Sequence, residues 1–121
     1  NNEIAQMIKD KGYAKETIIA DSAERKSIDE IKRLGIERIK PAKKAHGSIM
    51  TGIQKVNQYE LIVHPSCTGI QDEFDNYSYR KDKVTDEYLN SPIDNYNHFC
   101  DALRYAIQSV KRKPKILTVR L

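Results

Sequence analysis

The sequence predicts an α/β fold. Three short, largely β-branched runs, at residues 17–20, 36–39 and 61–63, are too brief for ordinary helices and read as buried strands. Between them lie stretches whose apolar residues recur at helical spacing, and a return to the sheet through a helix gives parallel neighbours. With 121 residues, 39% hydrophobic and 31% charged, the chain has the composition of one globular domain. No apolar run approaches the roughly 20 residues that a membrane-spanning helix needs, so that class is excluded. Asn1-Asn2-Glu3-Ile4 has no initiator Met and no leader pattern, and the chain reads as part of a longer one.

Ile4, Met7 and Ile8 mark the apolar face of a first helix that stops at Lys11-Gly12, where glycine suits a left-handed C-cap. After the strand at 17–20, Ser27 and Glu30 have capping-box spacing and predict the start of a helix with Ile28, Ile31 and Leu34 inward and Gly35 as its stop. Pro41 ends the second strand. Ser48 is expected to cap a helix carrying Ile49, Ile53 and Val56 on one side. Ile70, Phe74 and Tyr77 predict a further helix, residues 79–92 a hairpin or loop, and residues 97–110 the most strongly periodic helix of the chain. Three strands make a thin sheet, which points to something missing upstream.

Lys and Arg number 21 against 17 Asp and Glu, a formal +4 that is too small to announce a polyanion partner by itself. The distribution says more. Between residues 32 and 46, Lys32, Arg33, Arg38, Lys40, Lys43 and Lys44 stand against Glu37 alone, whereas residues 72–101 hold eight acids and three bases. The loop with Lys40, Lys43, Lys44 and His46 runs into Gly47-Ser48, a helix start whose free N–H groups favour an anion. It suits phosphate-backbone contact, and equally a solvated surface loop. Cys67 and Cys100 cannot build a disulfide framework, which favours a reducing cytoplasm, with a single bridge left open.

Asp21 follows the first strand directly, and ligands of open α/β sheets gather at the carboxyl ends of strands. An Asp there equally bonds the backbone of its own turn. Asp101 stands at the margin of the apolar arc of the last helix with His98 three residues before it, so the two can act on one point. Asp101 also offsets the positive end of the helix dipole. Carboxylates suit Mg²⁺ or Mn²⁺. His64-Pro65-Ser66-Cys67 and His98-Phe99-Cys100 have spacings unlike the usual zinc fingers. A phosphoacceptor domain of the response-regulator type would want an acidic cluster and a Lys at set strand ends, which the sequence does not offer.

Ile18-Ile19-Ala20-Asp21-Ser22-Ala23-Glu24, then Lys26-Ser27-Ile28, the Lys-rich loop with Gly47-Ser48-Ile49 and Gly52-Ile53, Val63-His64-Pro65-Ser66-Cys67, and finally Asn97-His98 with Asp101-Ala102-Leu103-Arg104-Tyr105-Ala106 follow one another in the chain. In that order they resemble the C-terminal nuclease domain of tailed-phage terminase large subunits, and are similar to those carried by prophages of Gram-positive bacteria. The resemblance covers nearly all of residues 3–110.

The resemblance implies a ribonuclease H-like fold, truncated at its N-terminal strands. Residues 1–110 would be a partial nuclease domain and residues 111–121 a basic C-terminal tail. It implies a DNA endonuclease that cuts concatemeric viral DNA with two divalent ions, Mg²⁺ or Mn²⁺. Asp21 and Asp101 match the family's metal-binding catalytic carboxylates, His98 its histidine near the metals, Lys40, Lys43, Lys44, His46 and Ser48 a DNA-contacting region, and residues 79–92 a hairpin beside the active site. The family's first metal-binding Asp lies upstream of the first helix here, so weak activity or none is expected of this chain. Arg25 stands where the family usually has Pro, a change expected to loosen the turn after Asp21. The implied partners are double-stranded DNA and, in the intact protein, the portal, the small terminase subunit and the protein's own ATPase domain, in the cytoplasm of a bacterial host and without a membrane. The alternative is a non-catalytic piece that binds DNA or the portal through its basic loop and tail.

Overall fold

The computed structural model describes residues 1–110 and 116–119. The chain divides into two compact units, residues 1–46 and 47–121.

The first unit is a βαβ arrangement preceded by a helix. Helix α1 spans Asn2–Asp10, strand β1 Ile18–Ala20, α2 Arg25–Arg33 and β2 Ile39–Pro41, with one 3-10 turn at Ser22–Glu24. Strands β1 and β2 are parallel, Ile18 facing Ile39 and Ala20 facing Pro41, as the crossover through α2 requires. Ala5, Ile28, Ile31, Ile36 and Ile39 form the core, with Ile8, Ile18, Ala20 and Leu34 packed against it. Gly35, at φ +107°, turns the chain out of α2, a backbone state that favours glycine.

Three expectations need correction in this unit. In α1 the buried residue is Ala5, while Ile4 and Met7 are 45% and 50% exposed. The small Ala5 faces the core together with Ile8, and this turns the other two outward. Ser27 does not cap α2, because the 3-10 turn begins winding at Ser22 and the helix is under way at Arg25. Arg25 takes φ −56°, the value a proline ring enforces, so the turn after Asp21 keeps its shape with Arg in place.

In the second unit, α3 spans Ser48–Val56, β3 Glu60–Val63, α4 Thr68–Asn76, β4 Tyr79–Lys81, β5 Tyr88–Pro92, α5 His98–Ile107 and β6 Ile116–Val119. Strands β4 and β5 form the antiparallel hairpin that residues 79–92 suggested. Strand β6 pairs in parallel with β3, Glu60 opposite Ile116 and Val63 opposite Val119. It falls within the stretch read as a basic tail, of which residues 111–115 and 120–121 lie outside the described residues. Cys67, Ile70 and Val119 form the core with Val63, Phe74 and Phe99. The Phe74 and Phe99 rings meet edge to face at 5.7 Å.

Helix α5 is held at both ends by side chains from other helices. Glu73 on α4 accepts the N–H groups of Phe99 at 2.9 Å and Cys100 at 3.4 Å. Lys55 on α3 donates to the carbonyls of Ile107 at 2.8 Å and Val110 at 3.1 Å. An acid at the N-terminus and a base at the C-terminus match the helix dipole and satisfy groups that the helix itself cannot pair. Asn97, at the N-cap position, makes no capping bond to the helix and donates instead to Asp94 at 3.1 Å.

Candidate active site

Asp21 occupies the position directly after β1, at the head of the 3-10 turn. The backbone-bonding reading of it holds. Its Oδ1 accepts the N–H of Ala23 at 3.0 Å, the backbone bond of an Asx turn. The same oxygen lies 2.6 Å from Lys44 Nζ, so one member of the basic loop is engaged with the carboxylate. The pair is open to solvent, with the side chains 42% and 54% exposed, and a pair so placed is worth at most about 1 kcal/mol.

Lys40 is the outward residue of β2, and Lys43, Lys44 and His46 follow it, all exposed, in the loop that closes the first unit. Gly47, at φ +75°, is the N-cap of α3, and Ser48 is its first helical residue rather than its cap. The left-handed conformation at the cap explains the exchange, since glycine enters it at no steric cost.

His98 and Asp101 lie one turn apart on the first half of α5, the imidazole exposed and the carboxylate partly buried. Arg104, one further turn along, donates from Nη2 to Asp101 Oδ1 at 3.0 Å. The sequence reading passed over Arg104, which is only 5% exposed, with its guanidinium 4.8 Å from the centre of the Tyr105 ring. The signal that could have found it is Gly52. A glycine inside a helix costs about 1 kcal/mol and needs a packing reason. Here the reason is the Arg104 stem, since a Cβ on Gly52 would fall 2.3 Å from Arg104 Cγ.

A cavity of about 220 Å³ opens beside this group, lined by Ile53, Asn57, Phe74, Tyr77, Cys100 and Arg104 among others. Burial raises the Tyr77 hydroxyl above its ordinary range, and the charges of Asp101 and Cys100 add to the effect. Burial also pushes the Cys100 thiol up to about 11, with the charges of Glu73 and Asp101 reinforcing it. Cys100 is therefore a neutral thiol at physiological pH, and Cys67 and Cys100 are both free of a disulfide.

Asp21, Asp101 and His98 are oxygen and imidazole donors of the kind that hard divalent ions take, and thiolate plays no part among them. Among the described residues no group of three or more metal-ligating side chains is gathered at one point.

Residues 1–109 match the family described as "Terminase RNAseH like domain", and the chain belongs to that family. It is 36% identical over 112 residues to the terminase large subunit of Bacillus phage SPP1, an alignment that covers 90% of this chain and 26% of that protein. Its structure is similar to the crystal structure of the g2p (large terminase) nuclease domain from bacteriophage SPP1 with bound Mn. The TM-score is 0.81 and the identity 34%, over 88% of this chain and 62% of that one. The ribonuclease H-like fold expected from the motifs is thus found. The chain spans about a quarter of the length of the curated relative.

Proposed function

We propose that this chain is the nuclease part of a phage DNA-packaging terminase large subunit, acting on double-stranded DNA as a divalent-metal-dependent endonuclease. What carries the reading is the likeness to a manganese-bound nuclease domain at TM-score 0.81. Asp21, Asp101 and His98 are the residues that would hold the metal. Two ions, Mg²⁺ or Mn²⁺, would supply an activated water and neutralise charge at the scissile phosphate.

The chain's own side chains supply the rest. Asp21 is anchored by Ala23 N–H and keeps its carboxylate at the strand end. Asp101 is oriented by Arg104, and His98, exposed one turn earlier, would orient water or the scissile phosphate. Lys40, Lys43 and Lys44 offer positive charge to the DNA backbone and His46 a ring N–H, contacts that position a duplex without reading its sequence. The portal, the small subunit and the ATPase domain remain proposed partners of the longer protein, in the host cytoplasm.

Nicking of supercoiled plasmid tests this reading. The expected result is relaxed plasmid at millimolar Mn²⁺ and none in EDTA; nicking that persists in EDTA would sink it. The exposed cations of the loop also favour a second reading, a DNA-binding piece without catalysis. That reading expects salt-sensitive binding with no nicking in any metal.

A further inference from the structure

Arg104, Gly52 and Asp101 form an arrangement that stability alone does not explain. A buried ion pair is a poor source of stability, because desolvation offsets much of the attraction. Arg104 is nonetheless 5% exposed, and it pairs with Asp101 Oδ1 at 3.0 Å. Its stem is admitted by a glycine in the interior of α3, itself unfavourable by about 1 kcal/mol relative to alanine. Two costs thus fall on one place, and their joint product is a carboxylate fixed in orientation. The Arg104 side chain is 6% exposed and the Asp101 side chain 32%, so the guanidinium holds the carboxylate from the protein side and leaves it open on the other. The Oδ2 atom takes no hydrogen bond among the described residues.

We infer that Arg104, seated in the Gly52 notch, is a positioning residue that aims Asp101 Oδ2 at a divalent cation. The inference rests on the proposed metal role of Asp101. A planar guanidinium held by its stem and by the Tyr105 face fixes one oxygen of the carboxylate, which then cannot rotate away from the ion. Partners behind a metal ligand commonly govern affinity by 10- to 100-fold.

The test is a Mn²⁺ titration of the full chain, read from the free-ion signal by electron paramagnetic resonance, with circular dichroism checking the fold. The variants are Arg104→Met, Arg104→Lys, Gly52→Ala and Asp101→Asn. The expected result is about tenfold weaker binding in Arg104→Met. Arg104→Lys keeps the charge but not the planar fork and is expected to fall between Arg104→Met and the parent. Gly52→Ala, which leaves the arginine in the sequence but displaces its stem, is expected to weaken binding as well. Parent affinity in Arg104→Met, with Asp101→Asn weakened, overturns the inference and spares the metal role of Asp101. Parent affinity in Asp101→Asn overturns both. Should Arg104→Met fail to fold, parent affinity in both Arg104→Lys and Gly52→Ala overturns the inference.

Discussion

The carboxylate of Glu73 accepts the backbone N–H of Phe99 through both its oxygens, at 2.9 and 3.0 Å. A helix N-terminus is thus closed by a residue 26 positions earlier in the chain, and the turn it closes carries His98 and Asp101. Glu73→Ala leaves these N–H groups unpaired in a partly buried place, at a cost of about 1–2 kcal/mol. The midpoint of thermal unfolding is expected to fall by several degrees, and first-turn amides of α5 to exchange faster with deuterium. Unchanged exchange at Phe99 and Cys100 would contradict the capping role.

Lys44 and Asp21 make a solvent-exposed pair, so Lys44→Met is expected to change stability by no more than about 1 kcal/mol. On the proposed role of the loop, its effect is expected in DNA binding. Loss of one phosphate contact lowers the slope of log affinity against log salt by about 0.9. Fluorescence anisotropy of a labelled duplex across a salt series measures this. A slope equal to that of the parent would remove Lys44 from the DNA-contacting set.

The Cys100 thiol, raised to about 11 from an ordinary 9.0, ionises only in strong alkali. A raised thiol value favours the neutral form, so reactivity is suppressed below about pH 11 and appears as pH climbs through it. In EDTA at pH 8, alkylation of Cys100 by iodoacetamide is expected to run about 100-fold slower than that of an exposed peptide thiol. Mass-spectrometric mapping separates it from Cys67. A rate that plateaus near pH 9 would contradict the burial and charge argument.

What the sequence shows well is what is local. The β-branched run of β1, the positive-φ glycine after α2 and the apolar arc of α5 all follow from neighbours within a few positions. Asp21 at the strand end and His98 and Asp101 one turn apart were legible for the same reason. The capping of α5 by Glu73 and Lys55 was not, since it joins helices far apart in the chain. Arg104 reads as one more surface cation until Gly52 is seen to make room for it. Strand β6 had the local signal, Ile116-Leu117-Thr118-Val119, but its pairing with β3 lies more than fifty residues away, and the preceding run of bases led to its being read as a tail. Ser27 and Ser48 misled because cap spacing is satisfied by any Ser near a helix start, while the boundary itself is set by the turn or glycine before it.

The nuclease reading turns on two carboxylates, and one paired measurement addresses it directly. The parent chain, Asp21→Asn and Asp101→Asn are assayed side by side for plasmid nicking in Mn²⁺ and for duplex binding at the same protein concentrations. The expected result is DNA binding within about threefold of the parent, because the proposed phosphate contacts lie in the basic loop, and nicking reduced by about 100-fold or more in each variant. Nicking retained at the parent rate in both variants would contradict the account.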